Sequence, residues 1–182
     1  MNQSFYDKLN NVIGKDSILI DEPMSRHTTF RVGGPADFFV TPKAKEEVRD
    51  VIRICKEAGM PYYIIGNGSN LLVSDAGYRG VIVQIYKEMN EVKVEGDLVK
   101  AQAGALLSGI AAKALGAELS GFEFASGIPG TIGGACVMNA GAYGGEMKDV
   151  LESVTVLTGE GKIIELGRNE LELGYRTSVI AK

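Results

Sequence analysis

The chain has 182 residues, 45% of them hydrophobic and 23% charged, with a net charge of −4 and a pI near 5.1. These values describe an ordinary globular protein with room for one large domain or two small ones, and the acidic balance argues against nucleic acid or an anionic membrane as a partner. No apolar run approaches membrane-spanning length, the amphipathic N-terminus is not a signal sequence, and Cys55 and Cys136 lie far apart without clustered histidine, so neither a disulfide framework nor a metal site is indicated; a cytoplasmic location is the expectation.

Ser4 can cap a first helix whose apolar positions Phe5, Leu9, Val12 and Ile13 share one face. Residues 28–40 read as two β segments broken at Gly33-Gly34-Pro35, with the single histidine, His27, just before them in a structural rather than catalytic role. Thr41-Pro42 has the chemistry of an N-cap followed by an N1 proline, opening a helix with Val48, Val51, Ile52 and Cys55 on its buried face. Gly59 and Pro61 end it.

Tyr62–Ile65 is a short strand that runs into Gly66-Asn67-Gly68-Ser69-Asn70, a first candidate phosphate loop. Leu71 stands where a dinucleotide fingerprint needs its third glycine. The residues that follow (71–73, then 81–85 after Gly77) read as strand, turn, strand, so a Rossmann unit is not supported. No Gly-x-x-x-x-Gly-Lys-Ser/Thr sequence occurs, which removes the P-loop nucleotidases. Beyond residue 85 a hairpin turns at Gly96-Asp97. A helix follows with Leu106, Leu107, Ile110, Ala111, Ala114 and Leu115 along one side.

Residues 126–145 hold seven of the 24 glycines and no Lys or Arg. Glycine tolerates positive φ and lets backbone approach a ligand closely, so inward-turned amides there can cradle a phosphate, with a helix N-terminus adding its dipole. Ile128, Ile132, Val137, Met138 and Tyr143 are residues that pack, which argues against a flexible linker. A second hairpin turns over Thr158–Gly161, and Gly174-Tyr175-Arg176-Thr177-Ser178 precedes what reads as the start of a strand, Val179-Ile180-Ala181. The expected division is a small α/β lobe over 1–83 and an α+β lobe over 84–182. Two Gly-rich loops, one from each lobe, suit an extended ligand with a pyrophosphate.

Five ordered motifs jointly resemble the UDP-N-acetylenolpyruvoylglucosamine reductase (MurB) family. They are Thr28-Thr29-Phe30-Arg31-Val32-Gly33-Gly34-Pro35-Ala36, Gly66-Asn67-Gly68-Ser69-Asn70-Leu71-Leu72, Gly127-Ile128-Pro129-Gly130-Thr131-Ile132-Gly133-Gly134, Met138-Asn139-Ala140-Gly141-Ala142-Tyr143-Gly144, and Tyr175-Arg176-x-Ser178. The resemblance implies an α+β, two-subdomain FAD-binding fold of the vanillyl-alcohol-oxidase or p-cresol-methylhydroxylase type. FAD would be held noncovalently by Gly66, Asn67, Gly68, Ser69, Asn70 and Leu71, by Gly127, Pro129, Gly130, Thr131, Gly133 and Gly134, and by Asn139, Ala140, Gly141 and Tyr143.

The resemblance further implies an NADPH-dependent oxidoreductase of peptidoglycan precursor synthesis, hence of cell-wall biogenesis, cell shape and cell division. Its substrate would be UDP-N-acetylglucosamine enolpyruvate and its product UDP-N-acetylmuramate. Arg176 matches the family's active-site arginine, and Tyr175 a position that helps bind the substrate carboxylate. Hydride addition builds negative charge on the substrate carboxylate, and a permanently charged guanidinium stabilises it. The family's substrate domain, with its proton-donating serine, has no counterpart before residue 182, so a truncated chain with no complete turnover is expected, and Ser178 does not replace that serine. The alternatives are a non-catalytic FAD- or nucleotide-binding module and a flavin subunit of another oxidoreductase.

Overall fold

The computed structural model describes residues 3–181. The chain divides into two compact units, Met1–Met89 and Asn90–Lys182.

In the first unit, helix α1 (Gln3–Ile13) buries Phe5, Leu9 and Ile13, spaced one helical turn apart. Ser4 lies inside this helix rather than at its cap. Strand β1 (Ile18–Pro23), which the sequence reading did not single out, pairs antiparallel with β2 (Pro35–Val40). Residues 28–32, expected as a strand, instead form a tight turn: the Arg31 amide donates to the Thr28 carbonyl at 3.1 Å and the Thr28 hydroxyl to the Val32 carbonyl at 3.0 Å.

Helix α2 (Lys45–Glu57) starts three residues later than Thr41-Pro42 suggests, with Ala44 as its N-cap. The Thr41 amide is already engaged, donating to the Ser17 carbonyl at 3.0 Å and prolonging the β1–β2 pairing. Gly59, at φ 60, ends α2, and the Met60 amide closes back on the Cys55 carbonyl at 2.8 Å. Strands β3 (Tyr62–Ile65) and β4 (Tyr78–Gln84) run parallel, with β4 inserted beside β2, giving the order β1-β2-β4-β3. Residues 71–73 are irregular rather than a strand.

Alternation along the central strands fills two cores. Phe38, Val40, Val81 and Val83 face α1 and α2, meeting Phe5, Leu9, Val51, Ile54 and Cys55. Phe39 and Ile82 face the opposite side and pack with Met24, Ala36 and Ile65, with Leu71 and Val73 against them. Burial on both faces explains why these strands read as continuous apolar runs.

In the second unit, β5 (Val92–Glu95) and β6 (Leu98–Ala101) form the hairpin expected around Gly96. Helix α3 (Leu107–Gly116) buries Leu107, Ile110 and Ala114, while Leu115 is 78% exposed, a narrower buried face than the sequence suggests. The short helix α4 (Ile132–Val137) lies in the Gly-rich stretch and is followed by the two-residue strands β7 (Gly141–Ala142) and β8 (Gly145–Glu146). Strands β9 (Ser153–Leu157) and β10 (Ile163–Gly167) make the last hairpin. Leu107, Ala125, Ala135, Cys136, Ala140 and Met147 form the core, with Phe122, Ile128, Ile132 and Ile180 packed against it. Val179–Ala181 is a single 3-10 turn rather than a strand; Ile180 packs inward and its amide donates to the Ser178 hydroxyl at 3.2 Å.

Candidate functional site

The two Gly-rich loops differ in what their glycines meet. In the first unit, Gly68 is buried at φ 70, and a Cβ there would overlap the carbonyl oxygen of His27. The Thr29 amide also donates to the Gly68 carbonyl at 3.1 Å. Gly68 is therefore required by the chain's own backbone. Around it, Gln84 donates to the Gly66 carbonyl at 3.2 Å and Leu71 packs on the inner face of the sheet. Asn67 and Ser69 are half-buried and Asn70 is exposed, so these three present polar side chains along the loop.

In the second unit some glycines make room for the chain itself and others do not. A Cβ on Gly133 would lie 2.9 Å from the Ala103 side chain, and one on Gly141 would lie 2.6 Å from the Gly145 carbonyl oxygen. At Gly127 a Cβ would meet nothing within 4 Å, and at Gly134 only the Thr131 hydroxyl at 3.7 Å. Gly130 takes φ 151, inside the region that L side chains rarely adopt. Pro129 is exposed, Thr131 is buried as the N-cap of α4, and Tyr143 is 96% exposed at φ 52. Gly127 and Gly134 thus have open space around their backbone.

The first amides of α4 are not turned toward a ligand. Ile132 donates to the Ala105 carbonyl at 2.8 Å and Gly133 to the Ala103 carbonyl at 2.9 Å, while the Leu107 amide donates to the Gly130 carbonyl at 3.1 Å. These bonds lock the stretch to the start of α3. The Ile132 and Gly133 amides are therefore not among the inward-turned amides that could cradle a phosphate.

Asn139, expected among the cofactor residues, is 3% exposed and its carboxamide is occupied by the protein. Nδ2 donates to Glu146 Oε2 at 2.8 Å and to the Gly174 carbonyl at 3.0 Å, and Oδ1 accepts from the Lys148 amide at 2.9 Å. Ala140 is buried in the core beside it.

Tyr175 and Arg176 form the tip of a turn closed by reciprocal bonds between Gly174 and Thr177 (3.0 and 3.3 Å). Tyr175 is 89% exposed, and Arg176 is exposed at φ 55 with Nη1 4.0 Å from Met138 Sδ. The turn therefore stands on the Gly-rich stretch, within a single unit. Ser178 is fully buried and donates to the Val137 carbonyl at 2.7 Å, which makes it an anchor and removes it as a proton donor.

Electrostatics separates the remaining reactive groups from this surface. Burial pushes the Cys55 thiol up to about 11 and the Cys136 thiol up to about 12, so both are neutral core residues at neutral pH. His27 stacks on Phe39 with ring centroids 3.9 Å apart, and its Nε2 lies 2.9 Å from Glu22 Oε1. Neither Cys136 nor His27 presents a nucleophile for covalent attachment of a cofactor. Hydrogen bonds from Lys148 and Asn139, with the nearby Lys148 and Arg176 charges adding to them, hold the Glu146 carboxyl below its ordinary value against the opposing effect of desolvation.

Residues 36–167 match the FAD binding domain family. The chain is 50% identical over 181 residues to the UDP-N-acetylenolpyruvoylglucosamine reductase of Clostridioides difficile (strain 630), covering 100% of this chain and 60% of that protein. The reductase of Alkaliphilus metalliredigens (strain QYMF) is 51% identical over 178 residues, 98% of this chain and 59% of its own length. The chain thus spans about 60% of the length of the curated relatives it matches. Among solved structures, the MurB reductase of Thermus caldophilus superposes with a TM-score of 0.72 at 37% identity, over 88% of this chain and 55% of that one. A p-cresol methylhydroxylase structure shares the fold, with a TM-score of 0.71 at 18% identity over 97% of this chain and 39% of that one. With most of its length inside the family match, the chain belongs to the FAD binding domain family.

Proposed function

We propose that the chain is the FAD-binding part of an NADPH-dependent reductase that converts UDP-N-acetylglucosamine enolpyruvate to UDP-N-acetylmuramate. The observation that carries this reading is the seating of the Tyr175–Arg176 turn on the Met138–Gly144 segment, where Arg176 Nη1 lies 4.0 Å from Met138 Sδ. A fixed cation thereby stands beside the Gly-rich stretch that the family match covers.

The residues present fit the cofactor. In the second unit, Gly127 and Gly134 offer open backbone, and the exposed Tyr143 ring adds apolar surface. In the first unit, Asn67, Ser69 and Asn70 supply neutral polar groups. When bound, FAD supplies a two-electron carrier that can take hydride from a nicotinamide and deliver it to a polarised double bond.

The chain's own contribution to the substrate step is electrostatic. As the enolpyruvyl double bond is reduced, negative charge accumulates on its carboxylate side. The Arg176 guanidinium holds that carboxylate and stabilises the charge, and the Tyr175 hydroxyl adds an orienting hydrogen bond. Ser178 does not supply the final proton on the α-carbon, because its hydroxyl is buried and donates inward to the Val137 carbonyl.

The test separates the two half-reactions in the enzyme that carries this segment. Arg176→Gln leaves flavin content and reduction by NADPH unchanged and slows reoxidation by the enolpyruvyl substrate by about 10²–10³-fold. Equal reoxidation rates in the two proteins would remove Arg176 from the chemistry.

A further inference from the structure

We infer that Asn139 is a positioning residue for Arg176, holding the Gly174–Thr177 turn so that the guanidinium is free to meet the carboxylate of a bound ligand. The inference rests on the functional reading of Arg176 given above and changes the expected role of Asn139 from cofactor contact to support.

The hydrogen bonds decide the orientation of the carboxamide. The Glu146 carboxylate and the Gly174 carbonyl can only accept, and the Lys148 amide can only donate, so Nδ2 and Oδ1 have one consistent assignment. Both amide protons are used, and the side chain is 3% exposed. Asn139 also sits at φ 45, in the left-handed region that Asn tolerates better than most residues. No other common side chain supplies two donors, one acceptor and that backbone at this size.

These bonds have two consequences for Arg176. The entering strand of the turn is fixed through Gly174, while the leaving strand is fixed by Ser178, whose hydroxyl donates to the Val137 carbonyl at 2.7 Å. The turn is therefore pinned on both sides of its tip. Glu146 is an acidic neighbour that could capture the guanidinium, but its Oε2 already accepts from Asn139 Nδ2 and pairs with Lys148 Nζ at 2.7 Å. Satisfying Glu146 from the far side leaves Arg176 able to pair with a carboxylate from outside the protein.

The experiment uses the 182-residue chain without flavin and the substitutions Asn139→Asp and Asn139→Gly. Both tolerate the left-handed backbone, and both remove the two donors. In each, the Gly174 and Thr177 amides exchange with solvent about tenfold faster, while the β9–β10 hairpin amides keep their native rates. The second readout is the Glu146 carboxyl titration, followed by NMR in the native chain, R176Q, N139G and the double variant. R176Q raises the Glu146 midpoint more in N139G than in the native background, because the carboxylate released by Asn139 is then open to the guanidinium. Native exchange rates at Gly174 and Thr177, or an R176Q effect of equal size in both backgrounds, would overturn the inference. Neither readout needs flavin or turnover, so loss of FAD binding counts against the functional reading alone.

Discussion

The carbonyl oxygen of His27 occupies the space that a side chain on Gly68 would need. Segments 27–29 and 66–70, about forty residues apart in sequence, run against each other as bare backbone, with the Thr29 amide bonded to the Gly68 carbonyl at 3.1 Å. Gly68→Ala therefore combines a backbone clash with strain at φ 70. A loss of about 2–4 kcal/mol in unfolding free energy is expected, measurable by urea denaturation.

Gly127→Ala is the counterpart. A Cβ there meets nothing within 4 Å, so the folded chain accepts it at little cost. If this open position faces the cofactor, stability stays within about 0.5 kcal/mol of native while FAD affinity falls. Paired denaturation and flavin titration check it. Unchanged FAD affinity would take Gly127 out of the site.

The two cysteines give a pH signature. Their thiols are raised by burial from 9.0 to about 11 at Cys55 and about 12 at Cys136. Because the folded values lie above the unfolded one, this contribution to stability is complete below pH 9.0 and is lost as pH rises through the folded values. At pH 8 a disulfide-exchange reagent should react slowly with the native chain and release two equivalents once urea unfolds it.

Glu146 gives the opposite sign. Its carboxyl is held below 4.5, mainly by its hydrogen bonds from Lys148 and Asn139. A depressed carboxylate stabilises the fold above its unfolded value, and the contribution is lost as pH falls through the folded one. Melting temperature followed between pH 6 and pH 3 should fall less steeply in Glu146→Gln than in the native chain.

Local chemistry was legible wherever one element carried its own signal. The hairpins around Gly96 and Thr158–Gly161, the end of α2 at Gly59, and the face of Val48, Val51, Ile52 and Cys55 all follow from patterns within about ten residues. The misreadings have both distant and local causes. Thr41 lost its capping role because its amide bonds to Ser17, and the apolar look of 28–32 concealed a turn closed by Thr28. Glycine count could not separate Gly68 and Gly133, which make room for the protein, from Gly127, which faces open space. Asn139 shows the limit most clearly. Its bond to Gly174 spans 35 residues, and nothing near Asn139 in the sequence announces it.

The most direct measurement is a visible spectrum of the purified chain, incubated with FAD and then desalted, before and after addition of NADPH. A flavin band that stays with the protein and bleaches with NADPH is the predicted result. A colourless protein after saturation with FAD would contradict the account at its centre.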